Sequence, residues 1–194
     1  MTNPTRLFDC IEWQLEKFSI EDMFAAKENG AWRKYSTQEI KQNIDGLSIG
    51  LLAAGIGYHD GSIEGRDKIA VLSNNRPEWM ILDMAVQQTG AVLTPIYPTI
   101  NVNELEFILN DASVKMVFVS DQELYEKVES IRQKTPSVQG VYTFNAIENA
   151  LYWKELLLPI TEKDKQFYHS QYMNELFRVD QLYAEDEKKN KKGN

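Results

Sequence analysis

The sequence has 194 residues, of which 43% are hydrophobic and 26% are charged, and these proportions exclude a chain that is disordered throughout. Its 21 Lys and Arg residues stand against 29 Asp and Glu residues, which gives a formal net charge of −8. Since this charge repels a phosphate backbone, we do not expect nucleic acid as a partner.

The first third of the chain predicts a helix, a hairpin and a second helix. Apolar residues at helical spacing over 7–18 favour an amphipathic helix. Two short runs joined by an Asn-Gly dipeptide, which tolerates positive φ angles, predict a β-hairpin over about 22–35. Ser36 and Glu39 match a capping box, and the apolar face that follows predicts a helix that ends near Gly55.

From residue 67 onward, strand-like and helix-like segments alternate. The predicted strands are 68–73, 91–97, 114–120 and 140–144. The predicted helices cover 77–89, a segment from Asn101 or Asn103 through Asn110, and a segment from Asp121 to about Lys134. Strands joined by helices form parallel βαβ units. Since these strands are continuously apolar, we expect the sheet to be buried on both faces. The predicted fold class is α/β, a Rossmann-like layered parallel sheet with helices on both faces, preceded by a helix and a β-hairpin.

The turn LSNNRPEW, residues 72–79, lies where a predicted strand passes into a predicted helix. Pro77 suits the first helical position because it lacks an N–H, and Asn74 and Asn75 tolerate turn geometry. A helix start at the carboxyl end of a strand, with Arg76 beside it, can also bind an anion. The sequence contains no G-x-x-x-x-G-K-[ST] phosphate loop. The residues alone therefore favour a structural helix start over an anion site.

Metal and membrane sites are not expected. Cys10 is the only cysteine, which excludes an internal disulfide, and with His59 and His169 it gives too few ligands for a zinc or histidine-based metal cluster. No apolar run reaches the roughly 18 residues of a membrane-spanning helix, and the start of the chain does not resemble a signal peptide. We therefore expect no membrane span and a cytoplasmic location.

Residues 67–121 resemble the amino-terminal subdomain of AMP-forming acyl-CoA synthetases, in particular long-chain fatty-acid CoA ligases. The strand followed by NRPEW, the GAVLTPIYPT one helix later and the ELEFILNDASVKMVFV unit come in that family's order and approximate spacing. WRKYSTQEI upstream and YWKELL at 152–157 extend the resemblance over about 5–160. It implies that 1–160 form this amino-terminal subdomain. The residues after it, with an apolar stripe and then a run of charge, predict a helix and a charged, disordered tail over 161–194.

The resemblance also implies a chemistry. Members of the family activate a fatty acid with ATP and magnesium to an acyl-adenylate and then transfer the acyl group to CoA. The phosphate loop expected soon after YWKELL does not occur in these 194 residues, and no catalytic residue of the family can be carried over. We therefore expect an amino-terminal fragment of such a ligase that is itself inactive and needs no cofactor. The alternative is a stand-alone Rossmann-like binding or interaction module without catalysis.

Three residues are expected near the substrate. The resemblance places PIYPT and NNRPEW at strand ends that face the acyl and nucleotide region, which implies substrate-binding roles for Arg76, Tyr97 and Pro98. Without the resemblance, we expect the same three residues only to turn the chain or to pack within it, and that alternative stays open. A subdomain separated from its neighbours exposes an apolar face, so self-association is also expected.

Overall fold

The computed structural model describes residues 4, 6–28, 30–57 and 64–159, and within them the chain forms five α-helices and two sheets. The first part contains α1 (Asp9–Phe18), the hairpin strands β1 (Phe24–Glu28) and β2 (Ala31–Tyr35), and α2 (Thr37–Ala53). The second part contains β3 (Lys68–Leu72), α3 (Pro77–Thr89), β4 (Val92–Ile96), α4 (Val102–Asp111), β5 (Met116–Val119), α5 (Gln122–Glu129), β6 (Gly140–Thr143) and β7 (Leu151–Tyr152). Short 3₁₀ helices cover Arg132–Lys134 and Trp153–Leu156.

The larger sheet has five parallel strands in the order β4-β3-β5-β6-β7, which confirms the predicted parallel sheet. In its register Leu72 lies between Ile96 and Val119, and Val119 pairs with Thr143, so four strands end at nearly the same level. The chain moves from β3 to β4 on one side and then returns to β5 on the other side. The topological switch point therefore lies between β3 and β5.

Alternate residues of the central strands enter two separate cores. Ile69 and Val71 of β3 belong to the core that includes the apolar residues of α2 and α3. Ala70 and Leu72 belong to the core that includes those of α4 and α5. The period of two in an extended strand sends these side chains to opposite faces. The predicted helices on both faces of the sheet are thus confirmed.

Strand β4 departs from the expected burial. It is an edge strand, Val92 is 36% exposed, and Pro95 is also exposed. Proline lacks the N–H that a central strand needs for its hydrogen-bond ladder, and an edge position tolerates this loss. The expectation of two buried faces is wrong for this strand, because a run of apolar letters does not reveal a strand's place in the sheet.

Side-chain caps fix three helix starts. Ser36, Asn101 and Asp121 each accept a hydrogen bond from the backbone N–H three residues later, at 3.1, 2.9 and 3.2 Å. Of the two predicted candidates, Asn101 and Asn103, it is therefore Asn101 that caps α4. The predicted capping box of α2 is only half formed, because the carboxylate of Glu39 pairs with the guanidinium of Arg33 instead.

Some predicted boundaries were wrong or fall outside the described residues. Helix α5 ends at Glu129, short of the predicted Lys134, where the 3₁₀ turn follows. The short strand β7 and the 3₁₀ helix after it were not predicted. Residues 58–63 and the predicted helix and tail over 161–194 lie outside the described residues. No helix in the described part of the chain is long and apolar enough to cross a membrane.

Two glycines of α2 allow a close crossing of the chain. A Cβ atom at Gly50 would lie 1.7 Å from the carbonyl oxygen of Leu156, and one at Gly46 would lie 3.3 Å from that of Leu158. The Leu158 N–H donates to the Gly46 carbonyl at 3.2 Å. The absence of two side chains thus lets the end of the last 3₁₀ helix and the residues after it lie directly against α2.

Candidate functional site

The ends of β3, β4, β5 and β6 form one edge of the sheet, which we call the carboxyl edge. It consists of Ser73–Arg76, Tyr97–Pro98, Ser120–Asp121 and Asn145. In open α/β sheets ligands bind outside the carboxyl ends of the strands, at the switch point of the topology. Because the switch point lies between β3 and β5, this edge is the candidate functional site.

The guanidinium of Arg76 ties together three segments of the carboxyl edge. It donates two hydrogen bonds to the carboxylate of Glu78, at 2.8 and 2.9 Å, and one each to the Ser120 carbonyl at 3.2 Å and the Asn145 side-chain oxygen at 3.1 Å. It also lies 5.3 Å from the centre of the Phe144 ring. Four of the five N–H donors of an arginine are therefore used within the protein.

The local sequence explains this placement of Arg76. Pro77 occupies the first turn of α3, and Arg76 before it is extended, with φ −161° and ψ 158°. Glu78 in the same turn receives the guanidinium, and a carboxylate at a helix start is favoured by the helix dipole. The predicted helix start at Pro77 is confirmed, and Arg76 is the cap residue before it.

Tyr97 and Pro98 lie at the same edge but on its other side. Tyr97 is 85% exposed, whereas Pro98 is half-buried. The Lys127 ammonium donates to the carbonyls of Pro98 and Ile100 at 2.9 and 3.2 Å, which fixes the turn after β4. The hydrogen bonds of Arg76 lead toward β5 and β6, away from β4. The structure therefore brings the three predicted residues to one edge without directing Arg76 toward the other two.

A G-x-S-x-G sequence, which is the pattern of a nucleophile elbow, lies at Gly46–Gly50 inside α2. The elbow chemistry requires a turn between a strand and a helix that exposes the serine hydroxyl. Ser48 is instead 5% exposed, and its hydroxyl lies 3.0 Å from the Ile44 carbonyl and 2.5 Å from the side-chain oxygen of Gln88. Ser48 is thus a packing residue. Nor do the described residues place three or more His, Cys, Asp or Glu side chains where they could hold a metal ion.

A second concave site lies beneath the hairpin. This hairpin cavity has a volume of about 130 Å³ and is lined by β2, the starts of α2 and α3, and the 3₁₀ helix Trp153–Leu156. Arg33 lies 4.0 Å from the centre of the Tyr35 ring and pairs with Glu39 and, at 3.4 Å, with Glu28. No sequence motif indicated this cavity, because four separate segments supply its lining.

Burial and hydrogen bonding change the ionisation of two groups beside this cavity. Burial raises the pKa of Tyr35 to about 12, and the hydrogen bond that its hydroxyl donates to Glu28 adds to this effect. The same hydrogen bond, together with the nearby Arg33, holds the pKa of Glu28 below its ordinary value. At neutral pH the tyrosine is therefore a neutral donor and the glutamate a carboxylate.

Comparisons with known proteins agree with the resemblance. A family model described as AMP-binding enzyme matches residues 11–183. Long-chain-fatty-acid–CoA ligase 6 of Mus musculus is 31% identical over 124 residues, which cover 62% of this chain and 16% of that protein. Long-chain-fatty-acid–CoA ligase FadD15 of Mycobacterium bovis is 26% identical over 113 residues, which cover 58% and 18%. The chain thus spans less than a fifth of the length of either relative.

A comparison with solved structures finds the same fold over most of this chain. The crystal structure of a long-chain-fatty-acid-CoA ligase from Archaeoglobus fulgidus matches this chain with a TM-score of 0.60 at 23% identity. The match covers 77% of this chain and 29% of that chain. The parallel sheet and its flanking helices are therefore an arrangement that a solved ligase shares.

Proposed function

The chain belongs to the AMP-binding enzyme family, and we propose that its described residues form the scaffold that precedes the phosphate loop in an ATP-dependent long-chain fatty-acid–CoA ligase. The complete reaction converts ATP, a fatty acid and CoA to acyl-CoA, AMP and diphosphate. The observation that carries the proposal is the family match over residues 11–183, together with relatives that are long-chain fatty-acid CoA ligases. ATP and CoA are then substrates, and magnesium is a cofactor, of a complete enzyme.

Within that scaffold, we assign different roles to the three residues of the carboxyl edge. Arg76 positions the strand ends, since at most one of its N–H donors is left for a substrate. Tyr97, which is exposed, and the half-buried Pro98 follow the end of β4 and are the residues offered to the acyl or nucleotide side of the enzyme. Tyr97 supports this role through its large exposed ring, which combines an apolar body with a polar tip.

The 194-residue polypeptide by itself is proposed to be inactive. Adenylyl transfer depends on preorganised donors and metal ions that stabilise the charge developing on phosphate. The sequence contains no glycine-rich phosphate loop, and the arginine at the switch point is already held by protein acceptors. At the carboxyl edge, within the part of the chain that the structure describes, the side chains of Arg76 and Lys127 thus both donate to protein acceptors.

A chimaera tests the scaffold role. The aligned segment of the Mus musculus ligase is replaced by the matching residues of this chain, and the purified chimaera is assayed for acyl-CoA formed from ATP, CoA and a long-chain fatty acid. We expect activity that depends on all three substrates. A matched chimaera with Tyr97→Ala is expected to retain the fold and lose affinity for the fatty acid or for ATP. A chimaera that unfolds cooperatively like the parent but forms no acyl-CoA would contradict the scaffold role.

A binding or interaction module without catalysis is the second candidate, and exposed apolar side chains favour it. Tyr97, Phe107 and Val102 are 85%, 68% and 38% exposed. Apolar surface of this kind supports association or the binding of an acyl chain. Calorimetric titrations with AMP, ATP and fatty acid separate the candidates, because saturable binding to the isolated polypeptide is expected only of a module. Sedimentation at increasing protein concentration tests self-association, and a strict monomer would argue against an interaction role.

A further inference from the structure

The turn between β4 and α4 carries the exposed ring of Tyr97. The Ile100 N–H donates to the Tyr97 carbonyl at 3.1 Å, and Asn101 caps the helix that begins directly afterwards. Because Tyr97 is 85% exposed, its side chain has little packing of its own to hold it. The place of the ring at the carboxyl edge therefore depends on the backbone of the turn.

Lys127 of α5 supplies two hydrogen bonds to this turn from another part of the chain. Its ammonium donates to the carbonyls of Pro98 and Ile100, at 2.9 and 3.2 Å. One ammonium between two carbonyls fixes the orientation of the peptide groups that follow these two residues. Since the Tyr97 carbonyl accepts from Ile100, the carbonyls of Tyr97, Pro98 and Ile100 all have a partner. The turn thus has a defined backbone conformation that includes a charged donor.

The helix that carries Lys127 is itself held firmly. Leu124 and Val128 of α5 are 4% and 0% exposed, and they belong to the same core as Ile96, the last residue of β4. Asp121 caps the start of this helix. Within the described residues Lys127 forms no ion pair, so no carboxylate competes with the two carbonyls for its ammonium. The lysine therefore links a fixed helix to the backbone beside Tyr97.

We propose that Lys127 is a positioning residue of the carboxyl edge, which holds the turn Tyr97–Ile100 so that the Tyr97 ring has one place beside the strand ends. The proposal rests on the substrate role proposed above for Tyr97, and Lys127 itself does not contact the substrate. Hydrogen bonds from a charged donor are stronger than neutral ones, so loss of the ammonium releases the turn. A released turn spreads the ring over several positions, and ordering it again on binding lowers the affinity for substrate.

Amide hydrogen exchange of the full chain, followed by NMR, tests the structural step without any activity. Lys127→Met removes the ammonium, Lys127→Arg keeps a charged donor, and Lys134→Met is the control at an exposed lysine. We expect the Ile100 amide to exchange about tenfold faster in Lys127→Met and at nearly the parent rate in the other two variants. The Val92 amide, at the other end of β4, is expected to keep its rate throughout. An unchanged Ile100 rate in Lys127→Met, or an equal acceleration of both amides, would overturn the proposal.

The kinetics of a ligase chimaera that carries both Tyr97 and Lys127 of this chain test the substrate step. We expect Lys127→Met to raise the KM of the same substrate as Tyr97→Ala, by about fivefold, with kcat nearly unchanged. Lys127→Arg is expected to restore the KM. The double variant is expected to show no rise beyond that of Tyr97→Ala, because the lysine acts through the tyrosine.

The outcomes separate this proposal from the proposed function. A rise of the KM in Tyr97→Ala but not in Lys127→Met, or additive rises in the double variant, would overturn the positioning role alone. An unchanged KM in both single variants would overturn the substrate role of Tyr97 and the positioning role with it. A parent chimaera that forms no acyl-CoA would contradict the scaffold role, whereas the exchange of the Ile100 amide would still decide whether Lys127 holds the turn.

Discussion

Replacing Arg76 by methionine tests whether this residue is committed to the scaffold. The substitution keeps an unbranched side chain, although a shorter one, and removes all four hydrogen bonds. It leaves the Glu78 carboxylate, which is only 12% exposed, without its cation. A hydrogen bond to a charged group contributes roughly 1.5–3 kcal/mol, and partial exposure of the pair reduces this value. We expect Arg76→Met to lower the free energy of unfolding by about 2–4 kcal/mol.

A double-mutant cycle with Glu78→Gln separates the ion pair from the bonds to Ser120 and Asn145. Urea unfolding of the four proteins, followed by circular dichroism, gives their free energies of unfolding. We expect a coupling energy of about 1–2 kcal/mol between Arg76 and Glu78. We also expect Arg76→Met to lose additional unfolding free energy that Glu78→Gln does not lose, because only Arg76 bonds to Ser120 and Asn145. A loss below about 0.5 kcal/mol in Arg76→Met, or zero coupling, would refute this reasoning and leave the guanidinium free for a ligand.

Three further substitutions test packing, capping and titration. Gly50→Ala places a Cβ 1.7 Å from the Leu156 carbonyl oxygen and is expected to lower the free energy of unfolding in urea by about 1–3 kcal/mol. Gly46→Ala, where the nearest atom is 3.3 Å away, is expected to lower it less. An equal loss in the two variants would contradict the close crossing. Asn101→Ala removes the cap of α4 and is expected to cost about 1 kcal/mol by the same assay, so an unchanged stability would argue against the cap. Because the pKa of Tyr35 is raised from 10.0 to about 12, the unfolded chain loses this proton first and stability falls as the pH rises between these values. Tyr35→Phe is expected to remove that part of the decline, and an unchanged pH profile of unfolding would show that the tyrosine ionises normally.

The sequence predicts elements well where a residue fixes the backbone. Helix α3 has the predicted bounds because Pro77 suits its first turn and Gly90, with φ +77°, ends it. The two-residue strand Leu151–Tyr152 was not predicted, because so short a segment shows no periodicity. The exposure of β4 was not predicted either, although Pro95 within this strand is a signal of an edge position.

The candidate site was predictable only in part. Strand ends followed by polar turns located the carboxyl edge, but the direction of the Arg76 side chain depends on Ser120 and Asn145, which follow two other strands. The hairpin cavity combines four segments, and no motif in one of them indicates it. The crossing at Gly46 and Gly50 did have a signal, because two glycines four residues apart inside a helix often mark a close approach of another backbone.

The most direct test measures the release of pyrophosphate by the purified 194-residue polypeptide in the presence of ATP, magnesium, CoA and a long-chain fatty acid. The complete Mus musculus ligase serves as the positive control. We predict that release does not exceed the enzyme-free background, because these residues provide the sheet and its edge but no loop that holds a triphosphate. Release that requires both ATP and the fatty acid, and that is lost when the polypeptide is unfolded, would contradict the account.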